Sequence, residues 1–330
     1  MKLSIVLLIV LLSITFAQDF PLTVSDGANV QATFEQPVTR IVCLSSSCQD
    51  HLFILGLEPL GIPDYMSPIH MLLHGEDAPE SIFILATDLS TFEPDLEEVL
   101  ALQPDVVIGL VGRHDGIRAP LEDLGVPVLL SRTYTFAEAR AEFELVATIT
   151  DQAEQIEPVV SAATDRLNAY RALSPNDTSL LLVFGSAANQ ELFVETDKAQ
   201  TCHTLMLYEL VTCPARLEDS PSQFIDAGYG QYSVEGILNL NPEFIFFAGY
   251  DTSGDDDPAV LVEASSSPLW AEISAVKNDH LYSISAWEFG GQSGFTLLTR
   301  AVDQTMQLLY PEVFPESLTD AQVQEVLANE

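Results

Sequence analysis

Leu96-Glu-Glu-Val-Leu-Ala-Leu-Gln-Pro-Asp-Val-Val-Ile-Gly109 and Val234-Glu-Gly-Ile-Leu-Asn-Leu-Asn-Pro-Glu-Phe-Ile-Phe-Phe247 are one phrase written twice. Each copy opens with apolar residues at helical spacing, stops at a proline and runs into an unbroken apolar strand. The Glu at the second position, the Pro and the acid after it coincide, and a glycine follows each strand, Gly112 in one half and Gly249 in the other. A strand apolar on both faces and fed by a helix belongs to a parallel sheet covered on both sides. Two copies in one chain predict two similar α/β lobes.

The surrounding sequence continues the pattern. Strands are predicted at residues 40–44, 59–62, 82–85, 106–110 and 126–130, alternating with helices at 49–55, 96–102 and 116–124. Before them, Asp26-Gly27 marks the turn of an N-terminal hairpin. A helical stretch rich in Ala and Glu, residues 136–149 and 152–173, carries no strand signal and joins the halves, with Pro158 kinking it or lying in its first turns. Beyond Pro175 come strands at 180–184, 244–247 and 281–284 and helices at 201–210, 234–240 and 295–309. The organisation is residues 1–17 as leader, 18–150 as first lobe, 151–174 as connecting helix and 175–330 as second lobe.

Lys2, the apolar run at residues 3–14 and the small residues Thr15 and Ala17 read as a secretory signal peptide cleaved before Gln18. The run is too short for the ~20 residues that span a bilayer, so a soluble exported protein is expected, in the periplasm or at the cell exterior. The chain has 330 residues, 49 Asp and Glu against 12 Lys and Arg, and a formal charge of −37. Such a polyanion repels phosphate backbones and anionic lipid, which excludes nucleic acid as a partner. With 47% hydrophobic residues and a mean hydropathy of +0.21, the acidity is no sign of disorder.

Export permits disulfides among Cys43, Cys48, Cys202 and Cys213, with free buried thiols as the competing reading. If residues 201–210 are helical, Cys202 and Cys213 stand about 16 Å apart at ~1.5 Å per residue, too far to bridge. Cys43 and Cys48 are the better pair.

Ligands of parallel sheets bind outside the carboxyl ends of the strands. Those ends fall at residues 45–47, 112–115 and 131–134 in the first half and 185–190, 249–254 and 285–292 in the second. They carry Arg113, His114, Arg132, Tyr134, Tyr250 and Trp287. Two arginines closing adjacent strands in so acidic a chain suit an anionic, planar ligand, with Tyr134, Tyr250 and Trp287 supplying faces. The competing reading has them balance local carboxylates such as Asp115. Ser46, within Ser45-Ser-Ser47, donates N–H and O–H groups to a ligand or belongs to a helix cap. His70 and His74 have metal-ligand spacing but no patterned third ligand, and read as solvated surface histidines. Asp255-Asp-Asp257 reads as a solvated loop tip. There is no G-x-S-x-G, P-loop, G-x-G-x-x-G, H-E-x-x-H or C-x-x-C, so no enzymatic activity and no cofactor are expected.

Thr39-Arg-Ile-Val-Cys-Leu44 with Leu55-Gly-Leu57 after it, the hairpin before it, residues 96–108, residues 270–282 with Ala275-Val-Lys-Asn278, and Trp287 with Gly290-Gly291 resemble the substrate-binding proteins of iron-siderophore, haem and cobalamin ABC importers. The resemblance implies an α/β fold of two Rossmann-like lobes with parallel sheets joined by a long rigid helix. It implies a monomer that hands its ligand to a permease dimer with its ATPase. Two glutamates, one per lobe, dock on permease arginines in that family, and by motif position they fall on Glu97 and Glu235. Haem-binding members often supply a Tyr shortly before the first-lobe helix, where this chain has Phe92. A ferric siderophore, commonly anionic, suits Arg113 and Arg132, with haem or cobalamin as the alternatives. A signalling or enzymatic relative on the same fold is a further alternative.

Overall fold

The computed structural model describes residues 19–89, 91–175, 178–185, 191–219, 223–224, 228–248, 266–290 and 292–329. It opens on the hairpin β1 (Leu22–Ser25) and β2 (Gln31–Phe34). Asp26 in its turn accepts the N–H groups of Ala28 and Val30 and, from outside the hairpin, that of Leu130 at 2.9 Å. Arg118 also donates to this carboxylate, so the hairpin is pinned to the first lobe.

That lobe comprises β3 (Ile41–Cys43), α1 (Ser46–Ile54), β4 (Gly61–Pro63), α2 (Ser67–His74), β5 (Phe83–Leu85), the short pair β6 (Thr87–Asp88) and β7 (Glu93–Pro94), α3 (Leu96–Ala101), β8 (Val106–Leu110), α4 (Asp115–Glu122) and β9 (Val128–Ser131). Its five-stranded sheet has the order β5-β4-β3-β8-β9 and is parallel throughout. Two helices follow, α5 (Phe136–Ile149) and α6 (Ile156–Leu173), and Pro158 is the third residue of α6, where its missing N–H costs nothing.

The second lobe holds β10 (Leu180–Phe184), β11 (Glu191–Glu195), α7 (Gln200–Leu207), β12 (Gln223–Phe224), β13 (Tyr229–Ser233), α8 (Val234–Leu240), β14 (Phe244–Ala248), α9 (Ser274–Lys277), β15 (Leu281–Ser283), α10 (Ala286–Phe289), α11 (Phe295–Leu309) and a terminal α12 (Asp320–Ala328). Its order is β12-β13-β11-β10-β14-β15. The three strands expected from the sequence, β10, β14 and β15, are parallel; β11, β13 and β12, which were not expected, extend the sheet antiparallel.

The repeated phrase occupies equivalent places. In the first sheet β8 lies between β3 and β9, and in the second β14 lies between β10 and β15. Both helices end on a left-handed residue just before the proline, Gln103 (φ 51°) and Asn241 (φ 44°). The acid after the proline has a matching duty. Asp105 accepts the backbone N–H groups of Thr39 and Arg40 at 2.9 Å, and Glu243 accepts that of Ser179 at 3.1 Å, each clamping the entrance of the neighbouring strand.

Alternation along these strands sends residues to opposite faces. Val107 and Ile245 pack outward, each within its own lobe, whereas Ile108 and Phe246 face a single core that runs through both lobes. Phe143 of α5, Tyr170 of α6 and Phe295 of α11 belong to that shared core. The junction is packed interior, with the long helix α6 joining the lobes and α5 and α11 packed into the same core.

Both disulfides are formed, Cys43–Cys48 (Cα–Cα 5.5 Å) and Cys202–Cys213 (5.9 Å), which corrects the expectation that the second pair lies too far apart. α7 stops at Leu207; Glu209 turns left-handed (φ 57°) and Leu210 N–H bonds back to Leu205. The chain thus returns alongside the helix instead of climbing away from Cys202.

Candidate functional site

The α1 end of the first lobe meets residues 285–290 and 292–297 of the second. Ser45 caps α1 by accepting Cys48 N–H (3.2 Å), while Ser46 Oγ donates to the Gln292 carbonyl across the lobe boundary at 2.6 Å. One turn on, Asp50 accepts the N–H groups of Thr296 (3.2 Å) and Leu297 (2.8 Å) at the start of α11. Arg300 donates to the Leu72 carbonyl, and Trp287 packs beside Met66, Ile69 and Leu73 of the first lobe. Among the described residues these contacts close the seam.

Behind it lies a buried ionisable group. His51 Nδ1 is 3.6 Å from Glu142 Oε2, both side chains are inaccessible, and His51 sits against Phe143 and Phe295. Burial pulls the His51 imidazole down to about 3, so it is neutral near pH 7. Burial pushes Glu142 up to about 7, against the hydroxyls of Ser47 and Ser131 and with Asp50 adding repulsion. Asp50 itself rises to about 6 by burial despite the two N–H groups it accepts.

Arg113 and Arg132 behave differently from the cations whose partners follow. Arg118, Arg140, Arg166, Lys198, Arg216 and Lys277 pair with carboxylates, and Arg40 and Arg300 donate to backbone carbonyls. Arg113 and Arg132 are half-buried and pair with no carboxylate among the described residues. Asp115, the proposed local balance, is turned away to accept Gly112 N–H at 2.9 Å. The Arg113 guanidinium instead lies 4.6 Å over the ring of Phe92, and Tyr65 meets that ring edge-on at 5.5 Å.

The remaining predicted residues divide. His114 is fully buried; its Nδ1 accepts Leu110 N–H at 2.9 Å and its ring fills the space over Gly109, so it shapes the turn after β8. Burial pulls it down to about 3. Tyr134 is buried, with its hydroxyl turned to the Val111 carbonyl at 3.5 Å. His70 is 2% exposed and stacks on His74 at 4.1 Å, which corrects its reading as a solvated surface residue. Among the described residues no group of three His, Cys, Asp or Glu could hold a metal ion. Tyr250, Gly249, Gly291, the leader and Asp255-Asp-Asp257 lie outside the described residues. Sequence reasoning missed Asp50, His51 and Glu142 as a group, because polar residues inside apolar helices carry no spacing signal of their own, and it missed Tyr65 in the turn after β4.

Glu97 and Glu235 are exposed, each the second residue of its helix, behind the caps Asp95 and Ser233. Neither forms an ion pair among the described residues. They occupy equivalent points of the two lobes. The sequence profile of the family described as "Periplasmic binding protein" matches residues 41–286.

The chain belongs to that family. It is 22% identical over 308 residues to the Fe(3+) dicitrate-binding periplasmic protein FecB of Escherichia coli (strain K12), covering 91% of this chain and 94% of the other. It is 23% identical over 248 residues to the Fe(3+)-citrate-binding protein YfmC of Bacillus subtilis (strain 168), covering 74% and 72%. Among solved structures it resembles the triscatecholate siderophore binding protein FeuA from Bacillus subtilis, with a TM-score of 0.69 at 16% identity, covering 88% of this chain and 98% of that one. The periplasmic heme binding protein HutB of Vibrio cholerae matches with a TM-score of 0.65 at 18% identity, covering 83% and 99%. No helix among the described residues is long and apolar enough to cross a membrane.

Proposed function

We propose that this protein is the exported receptor of an ABC importer, that it captures an anionic ferric chelate between its lobes, and that it delivers the chelate to the permease. The observation that carries the reading is the pair Arg113 and Arg132. In a chain of net charge −37, two half-buried guanidiniums closing adjacent strands pair with no carboxylate among the described residues. Half-buried guanidiniums without a carboxylate partner are available to an anionic ligand. Relatives named for ferric citrate make a carboxylate-rich chelate the first ligand to test. Haem ranks lower, because Phe92 holds the Arg113 guanidinium where a metal-ligating side chain would be needed. The role is binding and release, without covalent chemistry, and the exposed Glu97 and Glu235 serve as permease contacts.

Trp287 packs at the seam and reports its opening, while Trp270 is wholly buried elsewhere. Titrating intrinsic fluorescence with ferric citrate, a ferric catecholate, haemin and cobalamin at fixed salt tests the reading. Saturable binding of ferric citrate or the catecholate supports it. Binding of cobalamin alone, or of none of the four, overturns it.

A further inference from the structure

Tyr65 lies in the turn between β4 and α2, and its hydroxyl oxygen is buried without a hydrogen-bond partner. A buried hydroxyl left unpaired is destabilising, so its persistence asks for a partner that arrives later. The surroundings say what kind. Arg113 is close enough to lower the phenol's pKa, by its charge and as a nearby donor, against the larger upward push of burial, yet the contact falls short of full hydrogen-bond geometry. Phe92 walls both, its ring meeting Tyr65 edge-on and lying under the guanidinium. On the other side Tyr65 packs against the same cluster of Met66, Ile69, Leu73 and Leu297 that receives Trp287 of the second lobe.

Two donors, one neutral and one cationic, therefore converge at the lobe seam with an apolar back. We infer that Tyr65 and Arg113 form a two-donor clip that takes one anionic oxygen of the bound chelate, the phenol O–H and a guanidinium N–H donating to the same carboxylate. The inference rests on the receptor reading above and adds to it a recognition residue at the carboxyl end of β4. An oxygen-rich chelate such as ferric citrate can present a carboxylate to both donors at once. A neutral hydroxyl discriminates by geometry, since a site built to donate a hydrogen bond leaves its donor unpaired when the ligand lacks the acceptor. The guanidinium, held by a ring face and not by a carboxylate, can turn from Phe92 toward the incoming oxygen while the ring keeps it near.

The test compares the full chain with Tyr65→Phe, Arg113→Lys and the double variant, titrated with ferric citrate by calorimetry and followed by thermal melting. Tyr65→Phe deletes one oxygen and conserves the packing, so its melting temperature should hold or rise. Its affinity for ferric citrate should fall about tenfold or more, the worth of a hydrogen bond to a charged group. The two single substitutions should be non-additive, because each removes a donor to one shared acceptor. If the wild-type protein binds ferric citrate and Tyr65→Phe binds it within about twofold, the clip is overturned and the receptor reading stands. If the wild-type protein binds none of the ferric chelates, the receptor reading fails and the clip with it.

Discussion

The carboxylate of Asp50, on the first-lobe helix α1, caps the N-terminus of α11 by accepting Leu297 N–H at 2.8 Å. The residue in the cap position of α11 is Gly294, which has no side chain with which to cap. The cap is supplied instead from the other lobe, and this ties the register of α11 to that of α1. Gly294 also packs tightly against α1: a Cβ there would lie 2.7 Å from His51 Cδ2 and 2.9 Å from Asp50 Cβ.

Gly294→Ala should accordingly destabilise the protein by about 1–3 kcal/mol, the usual cost of overpacking. Asp50→Ala should cost a similar amount, about 1–3 kcal/mol, by leaving two N–H groups buried and unpaired. Asp50→Asn should cost less, since its amide oxygen still accepts. Denaturant unfolding measures all three; a neutral Gly294→Ala would mean that α1 and α11 can part without loss.

The fold was legible because its deciding residues sit in regular elements. Ile108 and Phe246 occupy matching points of the repeated phrase, and the structure puts both in the shared core. Cys213 was misjudged because one left-handed residue, Glu209, redirects the chain, and a glutamate gives no warning of that conformation. The site was legible only in part. Arg113 and Arg132 stood out by scarcity, whereas Tyr65 and Glu142 take their meaning from neighbours distant in sequence, Arg113 and His51 respectively.

Glu195 is wholly buried, accepting Cys202 N–H at 3.0 Å and the Tyr229 hydroxyl at 3.3 Å, and burial pushes it up to about 8. A carboxyl raised in the folded state binds its proton more tightly there than in the unfolded chain. Stability therefore falls as pH rises from the unfolded value, near 4.5, to about 8. His51 and His114 act in the opposite sense, but only below their unfolded value of 6.5. Between pH 6.5 and 8 the buried carboxyls prevail, and the melting temperature should decline. The slope is at most about 1.4 kcal/mol per pH unit for each proton. Glu195→Gln should flatten this decline; melts from pH 6 to 8.5 that show wild type and variant running parallel would exclude Glu195 as its source.

Arg113→Glu and Arg132→Glu should each weaken ferric citrate binding at least about tenfold, because each removes charge-assisted hydrogen bonds and adds repulsion. Salt should have an unusual effect on the wild-type protein. Its overall charge of −37 repels an anionic chelate at long range, while the arginines attract it only at contact. Raising ionic strength toward about 0.15 M shortens the Debye length to about 8 Å and should speed association. Stopped-flow traces that slow with added salt would show that the arginines, not the net charge, dominate the approach.

Glu97 and Glu235 share the second position of equivalent helices, and both are exposed. A carboxylate there gains about 0.3–1 kcal/mol from the helix dipole, but any first-turn position would supply that gain, so stability does not account for the match between lobes. A surface that must be gripped symmetrically does account for it, since equivalent positions present two carboxylates to a paired receptor. Glu97→Lys with Glu235→Lys should leave ferric citrate affinity unchanged and lower stability by no more than about 1–2 kcal/mol. Uptake of labelled ferric citrate by vesicles carrying the permease should be abolished, and each single reversal should impair it. Uptake by the double variant at the wild-type rate would assign the two glutamates to their helices alone.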